Sequence, residues 1–143
     1  MEWKLLNEGP PRIYAVVLQT GDDAVSSLGR FAQEQKLDAA HITAIGAFES
    51  VTLGYFDMSL KDYRRIAYDE QMELLSLIAN IALDEGRPKL HAHVVLGRKD
   101  ASTCGGHLLA ASVRPTLEAI ITESPSYLVR CHDPETGLSL IRP

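Results

Sequence analysis

Three histidines carry the most distinctive chemistry in this 143-residue chain. His91 and His93 stand two apart in Leu90-His91-Ala92-His93-Val94-Val95-Leu96, an apolar run with strand character. Successive side chains of a strand alternate between faces, so these two imidazoles share one face. Arg98-Lys99-Asp100-Ala101-Ser102 reads as a turn leading into a second arm, Gly105 to Ala111, and Asp100 lies midway between positions 93 and 107. A symmetric hairpin then sets His107 directly across from His93, with Cβ atoms about 4.5–5.5 Å apart, and His91 on the diagonal at about 7–8 Å. Three neutral imidazoles with an open fourth position suit Zn2+ and also fit other first-row divalent metals. Such a centre accepts water or a substrate oxygen, which makes it competent for catalysis. The same convergence also serves a metal-free polar face or an oligomer contact, and both readings stand at this point.

The neighbours of the three histidines qualify the reading. Gly105-Gly106 precede His107, where side-chain-free residues favour a bulge or a close backbone approach. One inserted residue there turns His107 to the opposite face. Cys104 is three positions from His107 and faces away in a regular strand, so it is not expected as a fourth ligand. Glu118 is a candidate to orient a ligating histidine or to move a proton, against the plainer reading of a solvated or ion-paired carboxylate. Arg98 and Arg114 are candidates to orient an anionic substrate, against solvated surface arginines. His41 opens a strand and His132 precedes a turn, and both read as incidental. No nucleophile elbow, phosphate-binding loop or dinucleotide fingerprint is present. Gly86-Arg87-Pro88 matches the centre of a minor-groove hook, but after Asp84-Glu85 and before a strand it reads as a reverse turn.

The elements that position these residues are mostly extended. Ile13 to Leu18 is a short β-branched run, followed by Thr20-Gly21-Asp22-Asp23 as turn and helix cap. Val25, Leu28 and Phe31-Ala32 recur at helical spacing, which predicts a helix over about 23–36. Extended patterns follow at Ile42 to Phe48, Val51 to Tyr55 and Arg64 to Tyr68. Met72 to Leu83 is expected as a strand with a break near Asn80. Arg114-Pro115 punctuates the chain before Leu117 to Thr122, Tyr127 to Arg130 and Leu138 to Ile141. The pattern is α+β: a single domain over 1–143 with a mainly antiparallel sheet and one or two helices.

Composition sets the outer bounds. With 45% hydrophobic and 23% charged residues the chain is globular in character, which excludes disordered, collagen-like and coiled-coil classes. The opening Met1-Glu2-Trp3-Lys4 lacks the build of a signal peptide, no apolar run is long enough to span a membrane, and Cys104 and Cys131 have neither zinc nor redox spacing. The expectation is a cytoplasmic protein with two reduced thiols and no membrane association. The formal net charge is −5, from 14 Lys and Arg against 19 Asp and Glu, which argues against a generic polyanion binder. The local basic candidates are Arg64-Arg65, Arg87 with Lys89, and Arg98-Lys99. Aromatic residues make up 6% and do not interleave with the basic ones, so no base-stacking platform is expected.

From about Ile13 to about Ile141 the chain resembles the PPC domain, the plant and prokaryote conserved domain that follows AT-hooks in plant nuclear proteins. Three segments carry the resemblance: Glu73-Leu74-Leu75-Ser76-Leu77; Leu90-His91-Ala92-His93; and Gly105-Gly106-His107-Leu108 leading to Thr116-Leu117-Glu118-Ala119-Ile120-Ile121. The resemblance implies a homotrimer of single α+β domains, associated with DNA or with gene regulation. It also implies a fold similar to α-acetolactate decarboxylase, in which a His-x-His pair and a later His bind zinc. Carried over by position, those ligands are His91, His93 and His107, the set that the hairpin arithmetic selects. The resemblance thus favours a divalent metal, zinc first.

Two departures turn the expectation away from a transcription factor. Plant members carry Gly-Arg-Phe, linked with partner binding, where this chain has Glu70-Gln71-Met72, and no Arg-Gly-Arg-Pro hook precedes the domain. Three functional expectations result. The first is a DNA-associated regulator with weak or no direct nucleic-acid binding of its own and with protein partners. The second is a metal-dependent enzyme of hydrolase or lyase type, or a binder, acting on a small anion. The third is an oligomerisation module.

Overall fold

The computed structural model describes residues 1–125 and 127–142, and in it most of the apolar runs are strands. In chain order the elements are β1 (Glu2–Asn7), β2 (Ile13–Gln19), α1 (Ala24–Glu34), β3 (Ala39–Asp57), β4 (Asp62–Tyr68), β5 (Met72–Asp84), β6 (Arg87–Gly97), β7 (Thr103–Glu123), β8 (Val129–His132) and β9 (Ser139–Arg142). α1 is the one helix among the described residues, so the fold is a single α+β domain with a mostly antiparallel sheet. The exception is a parallel bridge, Leu83 with Val129, which ties β8 to β5.

Two very long strands shape the molecule. β3 pairs with β5 through its first half and with β4 through its second, while β7 runs along its other edge. β5 pairs with β6, and β6 pairs with the start of β7. The circuit β3–β5–β6–β7 therefore closes on itself where His107 of β7 meets Gly54 of β3. Closure gives β6, the strand of the His-x-His pair, a partner on both sides from His93 to Gly97, while its first half pairs with β5 alone.

The inner face of this sheet is apolar. Leu18, Leu28, Phe31, Ile42, Phe48, Leu77, Leu96, Val113 and Ile121 are all fully buried. The helix lies over β7 and β6 and contributes Leu28 and Phe31 to that core. Asp23 caps it, its side chain accepting a hydrogen bond from the Ser26 N–H at 2.8 Å, and Lys36 ends it in the left-handed region with φ 52°. No helix among the described residues is long and apolar enough to cross a membrane.

Two sequence expectations change, and one strand is added. β5 has no break at Asn80; its irregularity lies between Leu74 and Ser76, where the register with β6 shifts. β7 does not stop at Arg114-Pro115. The strand runs through, and the proline sits where the register with β3 skips between Gly46↔Leu117 and Phe48↔Val113, so no ladder bond needs its missing N–H. Gly46 makes that skip possible: its φ is +153°, and a Cβ there would lie 2.3 Å from the Thr116 carbonyl oxygen. β1 is a further strand that apolar periodicity does not reveal, because of its six residues only Leu5 is even half-buried.

Candidate metal centre

The hairpin of β6 and β7 has the symmetric register, with His93 paired directly to His107. Val94↔Gly106 and Val95↔Gly105 continue it without an inserted residue, so His107 keeps the face of His91 and His93. The glycines serve close approach instead of a bulge. A Cβ on Gly105 would lie 2.4 Å from the Val94 carbonyl oxygen, and one on Gly106 would lie 3.1 Å from that of Gly54. The three imidazole centroids are 5.1 Å (His91–His93), 5.0 Å (His91–His107) and 5.4 Å (His93–His107) apart.

One nitrogen from each ring lies within 4.8 Å of the others. Imidazoles on one tetrahedral ion hold their nitrogens at about 3.3 Å, so small ring rotations close the set. His107 Nδ1 is buried and has no hydrogen-bond partner, an unmet polar atom that a cation would satisfy. Burial, and then the other two imidazoles, hold His107 down at about 4, and burial likewise lowers His91. These two rings are thus kept neutral, the form that ligates metal. The residues fit a divalent cation, with His91, His93 and His107 as its ligands.

Tyr63 of β4 is the support that the sequence reading missed. Its ring stacks on His107 with centroids 4.5 Å apart at 25°. The stack depends on Gly54, where a Cβ would come within 2.6 Å of the Tyr63 ring. Arg130 was missed as well. It borders a cavity of about 320 Å3 whose walls include His91, His107 and Tyr63.

The other candidates lie elsewhere. Glu118 is exposed and pairs with Ile45 of β3, three strand spacings from β6, on the order of 14 Å across the sheet. It has no part in orienting these histidines within one chain. Arg98 stacks over Tyr68 at 4.8 Å and pairs with Glu70 at 3.2 Å, and Arg114 pairs with Glu49 at 3.4 Å. Neither borders the histidine cavity. Cys104 pairs with Leu96 and stays out of the cluster, and Cys104 and Cys131 are both free thiols. His41 and His132 are exposed and outside it too. Of the basic candidates, Arg64 is held by Asp57 at 2.6 Å and Lys89 by Asp84.

The sequence profile of the Plants and Prokaryotes Conserved (PCC) domain matches residues 6–125. Among solved structures, a PPC protein of Pyrococcus horikoshii superposes with a TM-score of 0.87 at 29% identity, covering 96% of this chain and 98% of that one. A metal-containing protein of Archaeoglobus fulgidus gives 0.85 at 34%, covering 99% and 97%. A protein of Bacteroides thetaiotaomicron, described as a candidate DNA-binding protein, gives 0.88 at 28%, covering 98% and 96%. The α-acetolactate decarboxylase of Bacillus subtilis shares the fold alone, with a TM-score of 0.56 at 12% identity over 77% of this chain and 51% of that one. A curated relative, the bifunctional protein GlmU of a Synechococcus strain, is 31% identical over 135 residues, which are 92% of this chain and 20% of that protein. The chain spans about a fifth of the length of that curated relative.

Proposed function

The chain belongs to the Plants and Prokaryotes Conserved domain family, and we propose that it is a cytoplasmic, homotrimeric member that carries a divalent metal, zinc first, on His91, His93 and His107. The observation that carries the metal is the convergence of three imidazoles on one face with His107 Nδ1 buried and unpaired. The metal-containing relative from Archaeoglobus fulgidus, similar over almost its whole length, supports it. When bound, the metal supplies Lewis acidity at an open position. The chain's own residues set that position: His91 and His107 stay neutral, and Tyr63 fixes the plane of His107. Metal analysis of protein purified without a histidine tag, beside a His93→Ala variant, tests this. About one equivalent per chain is expected in the first and little in the second.

Self-association is supported by the outer face of the sheet. Ile45, Leu75, Ile78, Val95 and Ile120 are each between 45% and 60% exposed, and the strand pairings set them on the face that carries His91 and His93. So much apolar surface on one face is typical of an interface. Light scattering is expected to give three times the chain mass.

DNA association enters through the family neighbours, one of them described as a candidate DNA-binding protein. The net charge of −5 and the pairing of Arg64, Lys89 and Arg98 with carboxylates favour contact through protein partners over direct phosphate binding. A second reading, hydrolase- or lyase-type action on a small anion, is favoured by the cavity that opens beside His91 and His107.

A further inference from the structure

We infer that the cavity beside the histidines binds a small monocarboxylate, with Arg130 as the residue that holds its charge. The inference rests on the metal reading for one contact, a carboxylate oxygen at the open metal position, and on Arg130 alone for the other.

Arg130 is 8% exposed and, among the described residues, has no carboxylate within ion-pair distance. Its Nη1 donates to the Ser139 carbonyl oxygen at 3.2 Å, its Nη2 donates to Asn80 Oδ1, and its Nε–H has no partner. All of its acceptors are neutral. A cation taken out of water against neutral acceptors alone is costly, and an incoming anion relieves that cost. Asp84, the carboxylate whose field reaches it, is already bound by Lys89 and by the Ser139 hydroxyl. Asn80 is the strand partner of His91, so the guanidinium lies beside the histidine cluster.

The rest of the cavity selects the ligand. Leu90, Leu138, Leu140 and Ile141 supply apolar wall, and Lys89, which also lines it, is occupied by Asp84. Arg130 is the one arginine among the lining residues, and beside that apolar wall it suits a carboxylate that carries an apolar tail. A volume of about 320 Å3 is roughly ten times the share of one water molecule in the liquid, room for a carboxylate with a short aliphatic or keto tail. Arg130 lies on the β8–β9 hairpin, beyond the 6–125 segment that defines the family match. The guanidinium contact therefore comes from outside that segment, while the histidines come from within it.

The test is calorimetric titration of butanoate into zinc-loaded and metal-free protein, with 1-butanol as the uncharged control, and with zinc content measured in each preparation. Arg130→Met is expected to weaken butanoate binding roughly tenfold or more. Because that change also strips Asn80 and Ser139 of their partner, Leu140→Trp is the second variant. Leu140 is 38% exposed at the cavity wall, and a larger ring there blocks entry while Arg130 keeps its bonds. The expected result is butanoate binding that both variants weaken, with no response to 1-butanol. Overturning results are no butanoate binding to folded wild-type protein in either form, equal affinity in wild type and Leu140→Trp, or a butanol response as strong as that of butanoate. Zinc retained without butanoate binding sinks this inference and leaves the metal reading intact. Arg130-dependent butanoate binding in a protein that holds no zinc does the reverse.

Discussion

At the residue scale the site is three imidazoles, and burial suppresses the basicity of two of them, His91 and His107. His107 is held at about 4, against an ordinary value near 6.5, by burial first and its two neighbours second. Between those two pH values the unfolded metal-free chain carries the proton and the folded one does not. The stability of metal-free protein is therefore predicted to fall as pH drops from about 6.5 toward 4, and to recover as pH rises through the same window. Thermal melts at constant ionic strength check this, and His107→Ala should flatten the slope. A further outcome concerns metal: with His91 and His107 already neutral, proton competition should set in below the pH expected for free imidazoles, as read by metal retention against pH. The pairing of His93 with His107 was legible in the sequence, because a two-residue period and a turn centred on Asp100 specify register and face together. Arg130 was not. It reaches the cavity through a single parallel bridge, Leu83 with Val129, and no local pattern in the sequence encodes a contact between segments so far apart.

At the element scale, bare backbone keeps the histidine strands and their support together. Gly54 lets the Tyr63 ring lie against His107, so Gly54→Ala should displace that ring, cost about 1–3 kcal/mol and weaken metal binding. Denaturant unfolding and metal titration on the same variant measure both effects. Asp23 caps α1 and also accepts from the Ala111 N–H at 3.3 Å, which pins the helix start to β7. Asp23→Ala should therefore cost about 1 kcal/mol or somewhat more, with metal affinity unchanged because the cap is remote from the histidines. The misread breaks at Asn80 and Arg114-Pro115 share one physical reason. A polar residue or a proline ends an isolated strand, yet here the neighbouring strands override it: Asn80 is paired on both sides, with His41 and His91, and a register skip against β3 accommodates Arg114-Pro115. Propensity is local, whereas the length of β7 is set by the strands that flank it.

At the scale of the whole molecule, the outer sheet face joins the apolar patch to the histidines. Ile78, 59% exposed, pairs directly with His93. Ile78→Asp is predicted to dissociate the proposed trimer while leaving the fold of each chain intact, which light scattering reads as a lower mass and circular dichroism as an unchanged spectrum. The acidic balance acts at this scale too, since three chains at −5 give about −15, and any direct DNA contact should vanish at physiological salt. The central claim, however, is the metal and its ligands. X-ray absorption at the metal edge, on protein purified without a histidine tag, tests it most directly. The prediction is a shell that includes three imidazole nitrogens at about 2.0–2.1 Å for zinc, lost in His93→Ala. Negligible metal in both proteins, or a bound metal whose shell lacks imidazole, would contradict it.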